Sequence, residues 1–417
     1  WARLTATGPR GTRITLRHAE DLKPDGTIDV TSNERALATD VYVMKGGGRE
    51  SYEPRFTFHG FRFVEVTGFP GTPTVDNLLG CVVHTDCESI GEFACDNEWI
   101  NRLHRATRWS QRSNLMGYPM DCPQRDERLG WMGDAMVSME EALFNFDLPL
   151  FYRQWLNGVR FNQNQANGDI SIVSPRPYIP DEPDPTWSSA YLVMLWQYYL
   201  HFGDRAFLAG HFDAMRRYVD YLGTQATNHI LPQYWIGDWG TIVEGWKEGE
   251  PVSVVTAFYY YDALIVAKAA RVLGKTREAA EYTALANQIK TAFNQKFFDP
   301  ARNQYEQGAQ FSRCPVDAPA EDFQRQAGRD ALDDAIADEH LLADGGIAAR
   351  LDQTAARQCD DDHAGTDSDH GARLQRRFGD ELAELLVEVT HSLALPGSAR
   401  PPAFPLRPAS SARGPAA

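Results

Sequence analysis

The sequence predicts a β-sandwich followed by an α-domain of helical hairpins, with a C-terminal quarter of different character. Three observations carry this expectation. Polar and apolar residues alternate, between turns, up to about residue 92. From about Asn97 the apolar residues recur at three- and four-residue steps. After about residue 311 the large side chains almost disappear. A chain of 417 residues has room for two or three domains and a large core, which excludes a peptide hormone or a disulfide scaffold. The formal net charge of −16 argues against nucleic acid or an anionic membrane surface as the main partner.

In the first part, Thr12–His18 alternates as a strand should. Arg55–Val66 reads as a second strand, with Phe56, Phe58, Phe61, Phe63, Val64 and Val66 broken by His59-Gly60. Turns at Gly46-Gly47-Gly48 and Gly68-Phe69-Pro70-Gly71 separate short strands, as in a sandwich. Trp99, Leu103, Ala106 and Trp109 then share one helical face. Further helical periods follow at about 135–147, 149–165, 186–202, 205–225, 252–273 and 276–297. Short turns such as Gly203-Asp204 and Leu273-Gly274-Lys275 join several of them, which points to helical hairpins.

Six cysteines form no CxxC pair and no Cys/His cluster at zinc spacing, so the sequence predicts no metal site. Free thiols suit a reducing compartment, and the expected location is cytoplasmic. No run of eighteen apolar residues occurs, so no spanning helix is expected. The first residue is Trp1, which suggests that the chain is a fragment whose true N-terminus is absent. Nothing in the sequence specifies an oligomer.

The densest polar segment is Asp121-Cys122-Pro123-Gln124-Arg125-Asp126-Glu127-Arg128-Leu129-Gly130-Trp131-Met132-Gly133-Asp134. It lies before a helix expected at Gly133–Phe146, where Asp134 would sit near a favourable helix N-terminus. Paired carboxylates are the equipment of glycoside hydrolysis, one protonating the leaving oxygen and another activating water or attacking. A neighbouring carboxylate would raise the acid's pKa, and Arg125 or Arg128 could lower that of its partner. Loop aromatics at Trp131, Tyr178, Trp187, Trp235, Trp239 and Trp246 are suited to stacking on the apolar face of a pyranose.

The string DCPQRDERLGWMGDA resembles the motif of glycoside hydrolase family 78 α-L-rhamnosidases. So do YEPRFTFHGFRFVEV (Tyr52–Val66), VVHTD (Val82–Asp86), GEFACDNEWIN (Gly91–Asn101), DPTWSSA (Asp184–Ala190), FGD (Phe202–Asp204) and IGDWG (Ile236–Gly240). Roughly residues 1–311 share this resemblance. It implies a β-sandwich over 1–92 and an (α/α)6 barrel from 93. It also implies release of terminal α-L-rhamnose from rhamnosides by an inverting mechanism without metal or organic cofactor. Glu127 matches the general acid, Asp121 and Asp134 match acids that hold rhamnose hydroxyls, and Trp131 matches a subsite aromatic. Arg125 and Asp126 fall inside the motif as partners that could position Glu127. Trp187, Asp238 and Trp239 fall in loops that resemble cleft-lining loops. Ser189 stands where the resemblance leads one to expect Asp.

Residues 312–417 do not share it. Of 47 aromatic residues only Phe323, Phe378 and Phe404 lie there, and the last Trp is Trp246. The stretch holds 11 Arg against 19 Asp and Glu, is rich in Ala, Gly and Pro, and ends in a Pro-rich run expected to be disordered. Such composition is what a GC-rich coding region yields when read out of frame, and it predicts a barrel incomplete at its C-terminal end. The general base of the family is a Glu in a Trp-rich loop late in the barrel, a context that none of Glu339, Glu381, Glu384 and Glu388 has. The alternatives are therefore an inactive carbohydrate-binding remnant of such an enzyme, or another (α/α)6-barrel glycosidase.

Overall fold

The structure is a computed structural model that describes residues 1–176, 183–234, 236–237, 252–300 and 304–305. Its N-terminal part is two antiparallel three-stranded sheets. In one, β1 (Ala2–Thr7) lies between β6 (Arg49–Tyr52) and β8 (Leu78–Gly80). In the other, β2 (Arg13–Ala19) lies between β5 (Thr39–Val43) and β7 (Phe63–Thr67). A short ribbon of β3 (Asp21–Leu22) and β4 (Ile28–Asp29) is appended. Alternate residues of the two central strands point inward. Ala2, Leu4 and Ala6 of β1 share one buried cluster with Ile14 and Leu16 of β2 and with Met44. Glu50 closes the turn between β5 and β6, its buried carboxylate accepting hydrogen bonds from the Tyr42 hydroxyl at 2.6 Å and the Gly46 N–H at 2.8 Å.

The expected strand over 55–66 forms only at its end, as β7. Residues 53–62 are irregular because they pack against the loop that carries the polar motif. The Phe58 carbonyl accepts from Arg128 there, and Gly60 lies against Gln124.

Eight α-helices follow among the described residues: α1 (Glu98–Ser113), α2 (Met132–Asn145), α3 (Pro149–Asn162), α4 (Pro185–Ser188), α5 (Ala190–Phe202), α6 (Arg205–Gln225), α7 (Val252–Val272) and α8 (Thr276–Phe297). A two-residue ribbon, β9 (Phe298–Asp299) with β10 (Gln304–Tyr305), follows α8. The boundaries have local causes. Asn97 caps α1 by accepting from the Trp99 N–H, Pro149 opens α3, and Asp204 caps α6 through the Phe207 N–H. Gly203 ends α5 in the left-handed conformation. The helical period expected over 186–202 is two helices, because Asp184 caps a separate turn ahead of α5. α5 is buried along most of its length and packs against α2, α3, α6 and α7.

The face of α1 that carries Trp99, Leu103 and Trp109 is exposed rather than buried. The tail over 312–417 lies outside the described residues, as do Tyr178, Trp235, Asp238, Trp239 and Trp246. No described helix is long and apolar enough to cross a membrane.

The shared core of the sandwich gives a direct test. Leu16 is 1% exposed on a strand paired on both sides, so Leu16→Ala should cost about 2–5 kcal/mol in urea unfolding. Leu37→Ala, at a position 86% exposed, should stay within about 0.5 kcal/mol of the parent.

Candidate active site

The loop between α1 and α2 is closed at its neck by the Asp121 N–H, which donates to the Leu129 carbonyl at 2.8 Å. Cys122 and Arg128 flank this neck, both at positive φ (51° and 54°), a conformation that costs a non-glycine residue about 1–3 kcal/mol. What holds them there is Arg128. Its guanidinium donates to the carbonyls of Pro123 (3.0 Å) and Phe58 (2.8 Å) and lies 4.0 Å over the Phe58 ring. The Tyr118 hydroxyl donates to the Arg128 carbonyl at 2.9 Å.

On the far side, the Ser174 N–H donates to the Gly130 carbonyl and the Met132 N–H to the Ile172 carbonyl, both at 2.9 Å. A Cβ on Gly130 would stand 2.1 Å from the Ser174 carbonyl oxygen, so only glycine permits this approach. Leu129, Trp131 and Trp187 pack on a small buried cluster of Ile172, Val173 and Ile236.

Glu127 lies within this frame. Its Oε1 accepts from the Trp131 indole N–H at 2.7 Å, and its Oε2 accepts from the Arg125 guanidinium. Arg125 also donates to Glu34 at 2.7 Å. Asp126 turns the other way and is exposed, with its Oδ2 accepting from Arg35 at 2.8 Å. The two neighbours of Glu127 in the motif thus separate, Arg125 contacting it and Asp126 tying the loop to the β-part. Ligating atoms of Asp121, Cys122 and Glu127 all lie within 4.8 Å of one another. Burial, with Glu127 and Asp134 nearby, pushes the Asp121 carboxyl up to about 6.

That trio has the elements of a metal donor set, but its electrostatics oppose one. Burial and the adjacent carboxylates push the Cys122 thiol far up, and its S–H donates to Asp121 at 3.3 Å. A metal would need the thiolate.

Asp134 sits in the first turn of α2 and accepts from the Trp187 indole N–H at 3.3 Å. Its side chain reaches solvent, yet the surrounding protein, with Glu127 close by, raises its carboxyl above the usual range. Trp187 lies across Gly133, where an added Cβ would be 2.5 Å from the ring. Trp187 belongs to α4 rather than to a loop.

Asp184, a residue that sequence reasoning passed over, is fully buried and holds two segments together. Oδ1 caps α4 through the Thr186 N–H (3.0 Å) and hydroxyl (2.6 Å), while Oδ2 accepts from the N–H groups of Ile236 (2.8 Å) and Gly237 (3.3 Å). The Asp-Pro-Thr order was a legible sign of the cap but not of the second contact. Ser189 faces the core, donating to the buried Asp262 at 2.5 Å, rather than the carboxylate cluster.

The raised carboxyl of Asp121 makes stability pH-dependent. The folded chain keeps a proton that the unfolded chain loses near pH 3.8. Stability is therefore fully present below about pH 4 and falls as pH rises through about 6. Asp121→Asn should remove this loss, raising stability at pH 7 and changing it little at pH 4. Urea unfolding at the two pH values checks this, and equal effects at both would contradict it.

Two family models match the chain. Residues 1–84 match the concanavalin-like domain of bacterial alpha-L-rhamnosidases, and residues 88–350 match their 6 hairpin glycosidase domain. The alpha-L-rhamnosidase of Streptomyces avermitilis is 39% identical over 292 residues, covering 70% of this chain and 28% of that protein. A solved alpha-L-rhamnosidase from Dictyoglumus thermophilum is 46% identical with a TM-score of 0.69, covering 73% of this chain and 34% of that one. The Streptomyces avermitilis enzyme complexed with L-rhamnose is 37% identical with a TM-score of 0.68, covering 72% of this chain and 28% of that one. The chain thus spans about a third or less of these relatives' length. The β-sandwich followed by six-hairpin architecture, and the match over most of the chain, make it a member of the bacterial α-L-rhamnosidase family, glycoside hydrolase family 78.

Proposed function

We propose that this cleft hydrolyses terminal α-L-rhamnosides with inversion, Glu127 acting as general acid. The observation that carries the reading is the pinning of the Glu127 carboxyl between Trp131 and Arg125, beside two raised carboxyls. Two donors set the direction of Glu127, so that once protonated it is aimed at a glycosidic oxygen. Asp121 and Asp134 grip rhamnose hydroxyls. A carboxylate accepts hydrogen bonds from sugar hydroxyls, and a carboxyl raised to about 6 also donates in its protonated form on the acid side of neutrality. The rings of Trp131 and Trp187 stack on the apolar face of the sugar. Asp238 and Trp239 follow in sequence Gly237, whose N–H donates to Asp184, and are assigned to sugar binding.

Inversion requires an acid and a base about 6.5–9.5 Å apart, with water between them. Asp121 is too close to Glu127 for that role, since their ligating atoms lie within 4.8 Å. The reaction as written needs no metal or organic cofactor. Rhamnose-containing glycosides or oligosaccharides are the proposed partners, a reading that the L-rhamnose complex of the Streptomyces avermitilis relative supports.

A division at about residues 92 and 311 accompanies this reading. The exposed face of α1 with Trp99, Leu103 and Trp109 favours the second reading, a carbohydrate-binding remnant that holds rhamnose without turnover. The free cysteines Cys81, Cys87, Cys95 and Cys122 favour a cytoplasmic location.

Hydrolysis of an aryl α-L-rhamnoside, with calorimetry on L-rhamnose, tests the assignment. Glu127→Gln should lower kcat by about 10²–10⁴-fold while rhamnose binding persists. Equal turnover by parent and variant refutes the acid role, and binding with no turnover by the parent supports the binding remnant.

A further inference from the structure

A second cluster lies in the β-part, unused by the cleft chemistry. His18 of β2, Asp40 of β5 and His59 of the segment before β7 place one ligating atom each within 4.8 Å of the others. His59 Nε2 is 3.1 and 3.2 Å from the two Asp40 oxygens, and His18 Nε2 is 3.9 Å from Asp40 Oδ2. His18 is fully buried and Asp40 is 7% exposed. The two imidazoles stack at 4.2 Å, and Phe61 presents an edge to His18 at 4.8 Å.

The protonation of His18 follows from its neighbour. Nδ1 is 3.0 Å from the Ala38 carbonyl, which only accepts, so Nδ1 carries the hydrogen and Nε2 keeps its lone pair. Among the described residues that buried Nε2 has no hydrogen-bond partner. It faces a carboxylate, and two acceptors gain nothing from each other without a cation or proton between them.

We propose that His18, Asp40 and His59 bind a divalent transition-metal ion of the zinc class. Two imidazoles and one carboxylate are a donor set that Zn²⁺ takes readily. Ligands about 2.1 Å from a tetrahedral ion stand about 3.4 Å from each other. The His59–Asp40 separation of 3.1 Å and the His18–Asp40 separation of 3.9 Å lie on either side of that spacing, and the third pair stays within 4.8 Å. An Nδ1–H donated to a backbone carbonyl is also how metal-bound histidines are oriented. The ion joins β2 and β5 to the segment 53–62, which carries the Phe58 carbonyl gripped by Arg128 and the Gly60 packed on Gln124. It is thus a fastener beneath the loop of Glu127, with no part in the bond cleavage.

The test uses the full chain after EDTA treatment, titrated with Zn²⁺ by calorimetry and with Co²⁺ by visible absorption. The expected result is one ion per chain, a Co²⁺ spectrum of nitrogen and oxygen ligands, and a higher Tm with Zn²⁺. His18→Gln and His59→Gln should each weaken binding more than about 100-fold, while Cys122→Ser leaves it unchanged. In the parent chain alone, Co²⁺ should shift the ring protons of both histidines, a readout that does not depend on any variant folding. Unshifted ring resonances overturn the proposal. So does a Co²⁺–thiolate band that disappears in Cys122→Ser, since it would place the ion at the cleft cysteine.

Discussion

Glu127 is held by two donors at once, the Trp131 indole and the Arg125 guanidinium, and the rest of the site depends on that arrangement. Its ligating oxygen lies within 4.8 Å of that of Asp121, where like charges repel. Without fixed donors the two acids would relax apart. With them, the repulsion and the burial are stored as a raised carboxyl on Asp121, and stability is given up to keep the acids together.

The donors come from the same loop as Glu127, so the arrangement is only as rigid as the loop's anchors. Those anchors differ in strength. Arg35, 87% exposed, pairs with Asp126 across solvent, and such a pair contributes about 0–1 kcal/mol. Arg128 is half-buried, donates to two carbonyls and lies on an aromatic ring, so its loss would strand several groups at once. On the helical side, Gly130 and Met132 bond to the backbone of Ser174 and Ile172, a contact that only the absence of a side chain at Gly130 allows. The β-part therefore takes part in the cleft: it supplies the Phe58 carbonyl and ring on which the loop of Glu127 is clamped.

Much of this was legible in the sequence, because helices and motifs are local. The helices over 205–225, 252–273 and 276–297 fall within a residue or so of the periods read for them, since each buries a continuous stripe. The cluster around Glu127 was legible because acids, arginine and tryptophan crowd one segment. What escaped is non-local. Alternation over 55–66 indicated a strand, yet that backbone bonds to a loop some 70 positions away. Asp184 was passed over: Asp-Pro-Thr signals a cap, but nothing in the sequence signals its hold on residues 236–237. His18, Asp40 and His59 lie on separate segments, so no spacing rule could collect them.

The central claim is that Glu127 delivers a proton to the departing oxygen, and a leaving-group series tests it most directly. Glu127→Gln should lose most activity on alkyl α-L-rhamnosides, whose leaving group needs the proton. It should lose little on dinitrophenyl rhamnosides, whose leaving group does not. A loss of the same size across the series would contradict the account and assign Glu127 to holding the sugar instead.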